Sequence, residues 1–312
     1  MIKRIGMMKD KKLWRILLPV IIAIKIVVVV LILSSAKSAD TKVVQESETK
    51  FTSVAIPDKF SFAGEKMPLD RFDVREALDR ELLSNAYFHS QTIRYIKLAP
   101  RYFPVIEPIL KSKGIPDDFK YLALAESGLN PRAVSPAGAV GFWQFLNGTA
   151  KDFGLEISPE VDERYHIEKS TYAFCDYMRT SYNKYGNWTL AAASFNGGIT
   201  RVQRQMERQK MNDYYNLLFV DETQRYVFRI AALKLILENP EKYNFVIGEN
   251  EKYQVIKTRD VEINGAVNDF ADFALKNGIN YKLLKDFNPW LRDDKLTNAA
   301  RKKYTVKIPI LN

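Results

Sequence analysis

Apolar residues recur through the middle of the chain at helical spacing. Between about residues 73 and 239 the pattern predicts helices near 73–90, 91–112, 117–127, 141–152, 169–185, 188–196, 199–209 and 222–238, separated by Gly, Pro and Asn. The last is the most regular: Tyr226, Ile230, Leu233 and Leu237 fall at i, i+4, i+7 and i+11, and Asn239-Pro240 ends the run. Such a stripe must pack in a core. Beyond residue 250 the texture changes to short β-like stretches, YQVIK and YTVKI, around a helical DFADFALKNG. The expected fold class is therefore mainly α, with a helical domain over residues 73–245 and a small α+β module over 250–312.

A different pattern opens the chain. Lys3, Arg4, Lys9, Lys11, Lys12 and Arg15 precede an apolar stretch over residues 16–33, interrupted by Lys25 and followed by Ser34-Ser35-Ala36. A basic start before an apolar run directs the rest of the chain across a membrane. Residues 1–36 fit a cleaved signal peptide and an uncleaved membrane anchor alike: the small residues suit cleavage, and the length approaches the roughly 20 residues that span a bilayer. The segment has no cysteine to carry a lipid. Residues 37–72 are polar without a sustained period and read as a linker or arm.

Composition narrows the chemistry. With 312 residues, 46% hydrophobic and 27% charged, the chain is a folded protein of about two domains. One cysteine and two histidines exclude an internal disulfide and a Cys/His zinc site, so no metal or cofactor is expected. Cys175, within STYAFCDYM, reads as a small buried hydrophobe. Of the net charge of +10, residues 1–40 carry +6, from eight Lys/Arg against two Asp. The remaining +4 is scattered among acids, which argues against a nucleic-acid partner.

One carboxylate stands out. Pro116, Asp117 and Asp118 suit a helix start, and residues 119–125 are apolar except Lys120, so this helix is buried nearly all round before Glu126, Ser127 and the helix-stopping Gly128. Burial and the negative end of the helix dipole both disfavour an ionised Glu126. A glutamic acid protonated near neutral pH can protonate a leaving oxygen, which makes Glu126 a candidate general acid. Taken alone, it reads better as a solvated helix-end residue.

The surrounding run, ESGLNPRAVSPAGAVGFWQF over residues 126–145, is similar to the lysozyme-like lytic transglycosylases that cleave bacterial peptidoglycan, most nearly the membrane-bound lytic murein transglycosylase D group. Three further blocks agree in order: Val161-Asp162-Glu163-Arg164, then Ala193-Ser194-Phe195-Asn196-Gly197-Gly198, then Glu222-Thr223 followed by Tyr226-Val227. The resemblance covers about residues 90–240. It implies that Glu126 is the catalytic acid and base, that Ser127 and Gln144 hydrogen-bond substrate, that Asn196 contacts an acetamido group or sugar, and that Tyr226 partners Glu126. Phe195 stands on the substrate side where the family usually has Tyr, and Tyr-His-Ile after Arg164 replaces a more usual Arg-x-Asp-Pro.

By the same resemblance the substrate is the peptidoglycan glycan strand, met on the periplasmic side of a bacterial envelope. Most glycosidases use two carboxylates, whereas this family needs one. Glu126 protonates the oxygen between N-acetylmuramic acid and N-acetylglucosamine, then takes the proton of the sugar's own 6-hydroxyl as a 1,6-anhydro ring closes. Hydrolysis by a muramidase of the same fold, or a non-catalytic envelope protein that binds peptidoglycan, are the other readings. Asp152, Glu156, Asp162 and Glu163 are available by sequence as a second carboxylate. Packing alone would also account for Trp143, Phe195 and Tyr226, a helix end for Asn196, and a solvated helix position for Gln144. The C-terminal segment, with DFADFALKNGINYKLLKDFNPWL and YTVKIPI, is similar to a degenerate LysM glycan-binding module lacking the usual Gly-Asp-Thr-Leu opening.

Overall fold

The computed structural model describes residues 19–20, 22–31 and 52–311. Residues 22–31 are helical and exposed. Among the described residues no helix is long and apolar enough to cross a membrane. The cleavage point considered at residues 34–36 lies outside the described residues.

Residues 53–312 form one compact unit. Its chain begins with two short antiparallel strands, β1 (Phe60–Phe62) and β2 (Glu65–Met67), paired Phe60 to Met67. The expected linker over 37–72 is thus corrected for its second half. Phe60, Phe62 and Met67 alternate inward and are buried with Leu69 in the main core. Each strand is only three residues long, too short for alternation to register as a period. The hairpin is also a polar clamp. Asp118 accepts from the Ala63 amide at 2.7 Å, and Glu65 accepts from the Trp188 and Thr189 amides at 2.6 and 2.8 Å.

Eight helices come next, up to residue 238: α1 (Phe72–Tyr87), α2 (His89–Ser112), α3 (Lys120–Ser127), α4 (Asn147–Asp152), α5 (Ile167–Tyr185), α6 (Trp188–Gly197), α7 (Ile199–Gln209) and α8 (Asp221–Glu238). In α1 the buried residues Val74, Leu78, Leu82 and Ala86 form a stripe of period four. Helix α2 contains Pro100, Pro104 and Pro108, spaced four residues apart, of which Pro104 and Pro108 are exposed. Helix α6 is capped by the Asn187 side chain accepting from the Leu190 amide, and residues 190–193 are wholly buried. Helix α8 lies at the centre, packed against α1, α3 and α6.

The helix expected over 141–152 begins only at Asn147. Residues 141–146 instead form a turn, because Gly141 and Gln144 both have positive φ, 78° and 49°. Glycine is required at 141: an added Cβ would sit 2.0 Å from the Arg164 carbonyl oxygen.

The C-terminal residues pair β3 (Thr258–Ile263) antiparallel with β4 (Tyr304–Pro309), with α9 (Phe270–Lys276) and α10 (Tyr281–Phe287) between them. YTVKI is in β4, but YQVIK precedes β3 and is not in a strand. Asn288 is fully buried and satisfied. Its amide donates to the Leu284 and Lys307 carbonyls at 2.9 and 2.7 Å and accepts from the Lys307 amide at 2.7 Å. This module shares its hydrophobic cluster with the helical body: Val140, Val161 and Tyr165 pack with Trp290, Leu291 and Val306. Backbone bonds cross the same boundary, Asp162 donating to Trp290 and Arg292 to Glu160 at 2.9 and 2.8 Å.

Candidate active site

Helix α3 buries Tyr121, Leu122, Ala123 and Leu124, and Phe119 just before it is buried too, so the helix is anchored in the core. Gly128 ends it in the left-handed conformation, φ 59°, and an added Cβ there would meet the Tyr95 ring at 2.7 Å. Glu126 is thereby delivered to the wall of a cleft of about 600 Å³. Gln144, Phe195, Asn196, Glu222, Tyr226 and Arg229 line the same cleft.

The Glu126 carboxyl lies in a poorly solvated pocket. Burial pushes its pKa up from 4.5 to about 7; the Tyr226 hydroxyl and the Arg229 charge pull the other way, and Glu222 adds a small upward push. Buried Tyr226 donates its hydroxyl hydrogen bond to Glu126 Oε1. A neutral acid accepting at Oε1 carries its proton on Oε2, where it can be donated outward.

The other sequence-predicted residues separate. Ser127 does not line the cleft, and its hydroxyl donates back to the Ala123 carbonyl of its own helix at 3.0 Å. Gln144 does line it, with its amide NH2 donating to the Gly141 and Ala133 carbonyls at 2.8 and 3.2 Å, so its amide oxygen is left to accept from a ligand. The positive φ of Gln144 is backbone strain held in place by those bonds. Asn196 accepts from Thr223 Oγ1 at 2.8 Å and donates to Glu222 Oε1 at 3.3 Å. Phe195 meets Phe145, Phe174 and Tyr177 edge-on while reaching the cleft wall. Trp143 is a core residue, fully buried, stacked on Phe174 and hydrogen-bonded to Thr171.

The Val161-to-Arg164 block acts as a buckle for the loop that carries Gln144. Arg164 pairs with Asp162 at 2.7 Å and donates to the Gly138 and Phe145 carbonyls at 3.3 Å. Glu163 pairs with Lys169, and Glu156 with Lys302 and Tyr304. With Asp152, none of these four carboxylates lines the cleft. The second cleft carboxylate is Glu222, and the cleft cations are Arg201 and Arg229. Arg229 lies three residues beyond Tyr226 on one helix, a spacing that marks a shared face. Among the described residues no group of three or more His, Cys, Asp or Glu could hold a metal ion. Cys175 is buried, and burial with Asp176 beside it pushes its thiol up to about 12.

A second cavity, of about 450 Å³, lies where the helical body meets the C-terminal module, lined by Tyr165, His166, Glu168, Trp290 and Lys307 among others. Its carboxyl is differently set. Burial alone would raise Glu168, but hydrogen bonds and charge from His166 and Lys307 outweigh it and hold the group at about 2. An acid held ionised has no proton to give, so Glu168 does not match what a general acid requires.

Residues 104–218 match the family model of the transglycosylase SLT domain. Over these residues the chain is similar to SLT domains. Residues 259–312 match the C-terminal LysM-like domain of soluble lytic transglycosylases. Over 247 residues the chain is 29% identical to membrane-bound lytic murein transglycosylase D of Escherichia coli (strain K12), covering 77% of this chain and 53% of that protein. The chain thus spans about half the length of that relative. Among solved structures, the 70 kDa soluble lytic transglycosylase of Escherichia coli is similar at 22% identity and TM-score 0.39, covering 49% of this chain and 27% of that one. An inactive mutant of lytic transglycosylase Slt from Pseudomonas aeruginosa gives 20% identity and TM-score 0.39, covering 60% and 36%. The SLT match begins inside α2, so α1 and the β1–β2 hairpin lie outside it.

Proposed function

We propose that this chain is a peptidoglycan lytic transglycosylase that cleaves the β-1,4 bond between N-acetylmuramic acid and N-acetylglucosamine. The observation that carries the reading is Glu126 itself: an acid with its pKa raised to about 7, on a cleft of about 600 Å³ and hydrogen-bonded by Tyr226. Glu126 Oε2–H gives its proton to the bridging oxygen, and the departing sugar leaves an oxocarbenium-like centre. The carboxylate that results keeps the Tyr226 hydrogen bond and gains from the nearby Arg229 charge. It then removes the proton of the 6-hydroxyl as that oxygen bonds to the anomeric carbon, closing the 1,6-anhydro ring and restoring the acid. Gln144 and Asn196 place polar groups on the same wall to orient acetamido and hydroxyl groups.

The LysM-like module supports a role in holding glycan, and the basic-then-apolar N-terminus supports export to, or tethering in, the envelope. Glu222 favours hydrolysis as the second reading, since it puts another carboxylate in the cleft that could activate a water. Isolated sacculi treated with the wild-type chain and with Glu126→Gln separate these cases by mass spectrometry. Transglycosylation releases fragments one water lighter than the hydrolytic ones, and Glu126→Gln lowers their release by about 10²–10⁴-fold. Fragments with reducing ends only would establish a muramidase, and no fragments from either chain a binding protein.

A further inference from the structure

Helix α1 packs against α8 and brings Glu81 to it. Glu81 is 1% exposed, and its carboxylate meets three guanidinium groups: Arg225 Nε at 2.6 Å, Arg80 Nε at 3.5 Å and Arg229 Nε at 3.8 Å. Arg229 is the one of these that also lines the cleft, where its charge reaches Glu126. Its ion pair is made with Glu81 and not with the catalytic acid.

We propose that Glu81 is a positioning residue for Glu126, holding the Arg229 guanidinium back from the acid and neutralising part of its charge. This rests on the reading of Glu126 as the proton donor. A full, unrestrained cation beside Glu126 would favour the carboxylate and empty the acid of its proton before substrate arrived. An absent cation would leave the carboxylate unsupported after proton transfer. Glu81 sets Arg229 between these limits, from a helix that lies outside the SLT match.

The charged surroundings are few. Glu126 faces Tyr226, Arg229 and Glu222, all on α8. Asp221 takes a share of Arg80 and Arg225 at 3.9 and 3.7 Å, which leaves Glu81 as the carboxylate paired with Arg229. From α2, Tyr95 faces Arg229 and Arg94, and Tyr214 faces Glu81 from the turn before α8.

The test tracks the Glu126 carboxyl directly, by its carbon-13 signal against pH in the full chain, assigned by its loss in Glu126→Gln. No substrate is needed, so the result is independent of whether the enzyme forms anhydro ends or reducing ends. Glu81→Gln is expected to lower the midpoint by about one pH unit, the size of an added cationic neighbour. Arg229→Gln is expected to raise it, and by more in the Glu81→Gln background than in wild type, because only there is the guanidinium released. A midpoint unmoved by Glu81→Gln overturns the proposal. So does an equal effect of Arg229→Gln in both backgrounds, which would reduce Glu81 to a bystander charge. Should Glu81→Gln fail to fold, Glu81→Asp, which keeps the charge but shortens its reach, takes its place with the same two criteria.

Discussion

Two cavities each hold a glutamate that burial pushes toward its neutral form, and the two acids end in opposite states. Glu126 has a phenol as its hydrogen-bond partner, and its pKa is pushed up to about 7. Glu168, at the junction of the two modules, has an ammonium and an imidazole within reach and is held at about 2. Burial supplies the pressure, and the nature of the partner decides the outcome. A neutral donor leaves an acid ready to act, whereas a cationic donor such as Lys307 converts the same residue type into a staple.

The comparison breaks most visibly if Glu126→Gln fails to stabilise the fold at alkaline pH. A raised carboxyl gives stability that is fully present below about 4.5 and is lost as pH rises through about 7. Glutamine still accepts from Tyr226 but never ionises, so this variant should exceed wild type by about 3 kcal/mol near pH 8 and match it near pH 4 in urea unfolding. The staple predicts the reverse sign. For Glu168 stability is present above about 4.5 and is lost as pH falls through about 2, so wild type should weaken across that window. Glu168→Gln should cost about 1–3 kcal/mol at neutral pH, discounted because the side chain is a quarter exposed, and should flatten that acid-side loss.

The smallest effect sharpens the role of the phenol. Tyr226→Phe removes a donor that favours the ionised form, so the alkaline limb of the activity profile should move to higher pH while turnover falls by about tenfold. A limb that does not move would mean that Tyr226 acts only as packing.

The long helices and the acid at the end of α3 are legible because their signals are local: a period along one stripe, a start at Pro116, a stop at Gly128. The 141–146 turn is not, since GFWQ carries the residues of an apolar helix while Gly141 and Gln144 both adopt positive φ. Ser127 is a substrate contact by the family resemblance, yet the helix carbonyl four residues back takes its hydroxyl. Arg229 could have been found from its spacing to Tyr226. Nothing in sequence links Glu81 to residues 144 and 148 positions away, because that pairing exists only once α1 lies along α8.

The seam between the two modules also constrains how the protein can be cut. Val140, Val161 and Tyr165 are covered from the far side by Trp290, Leu291 and Val306, and Val140 is itself bridged to Phe145, the neighbour of Gln144. A chain ending near residue 250 would therefore lose the roof over the very loop that shapes the cleft. Its inactivity would report an uncovered floor, and could not be credited to a missing grip on the glycan.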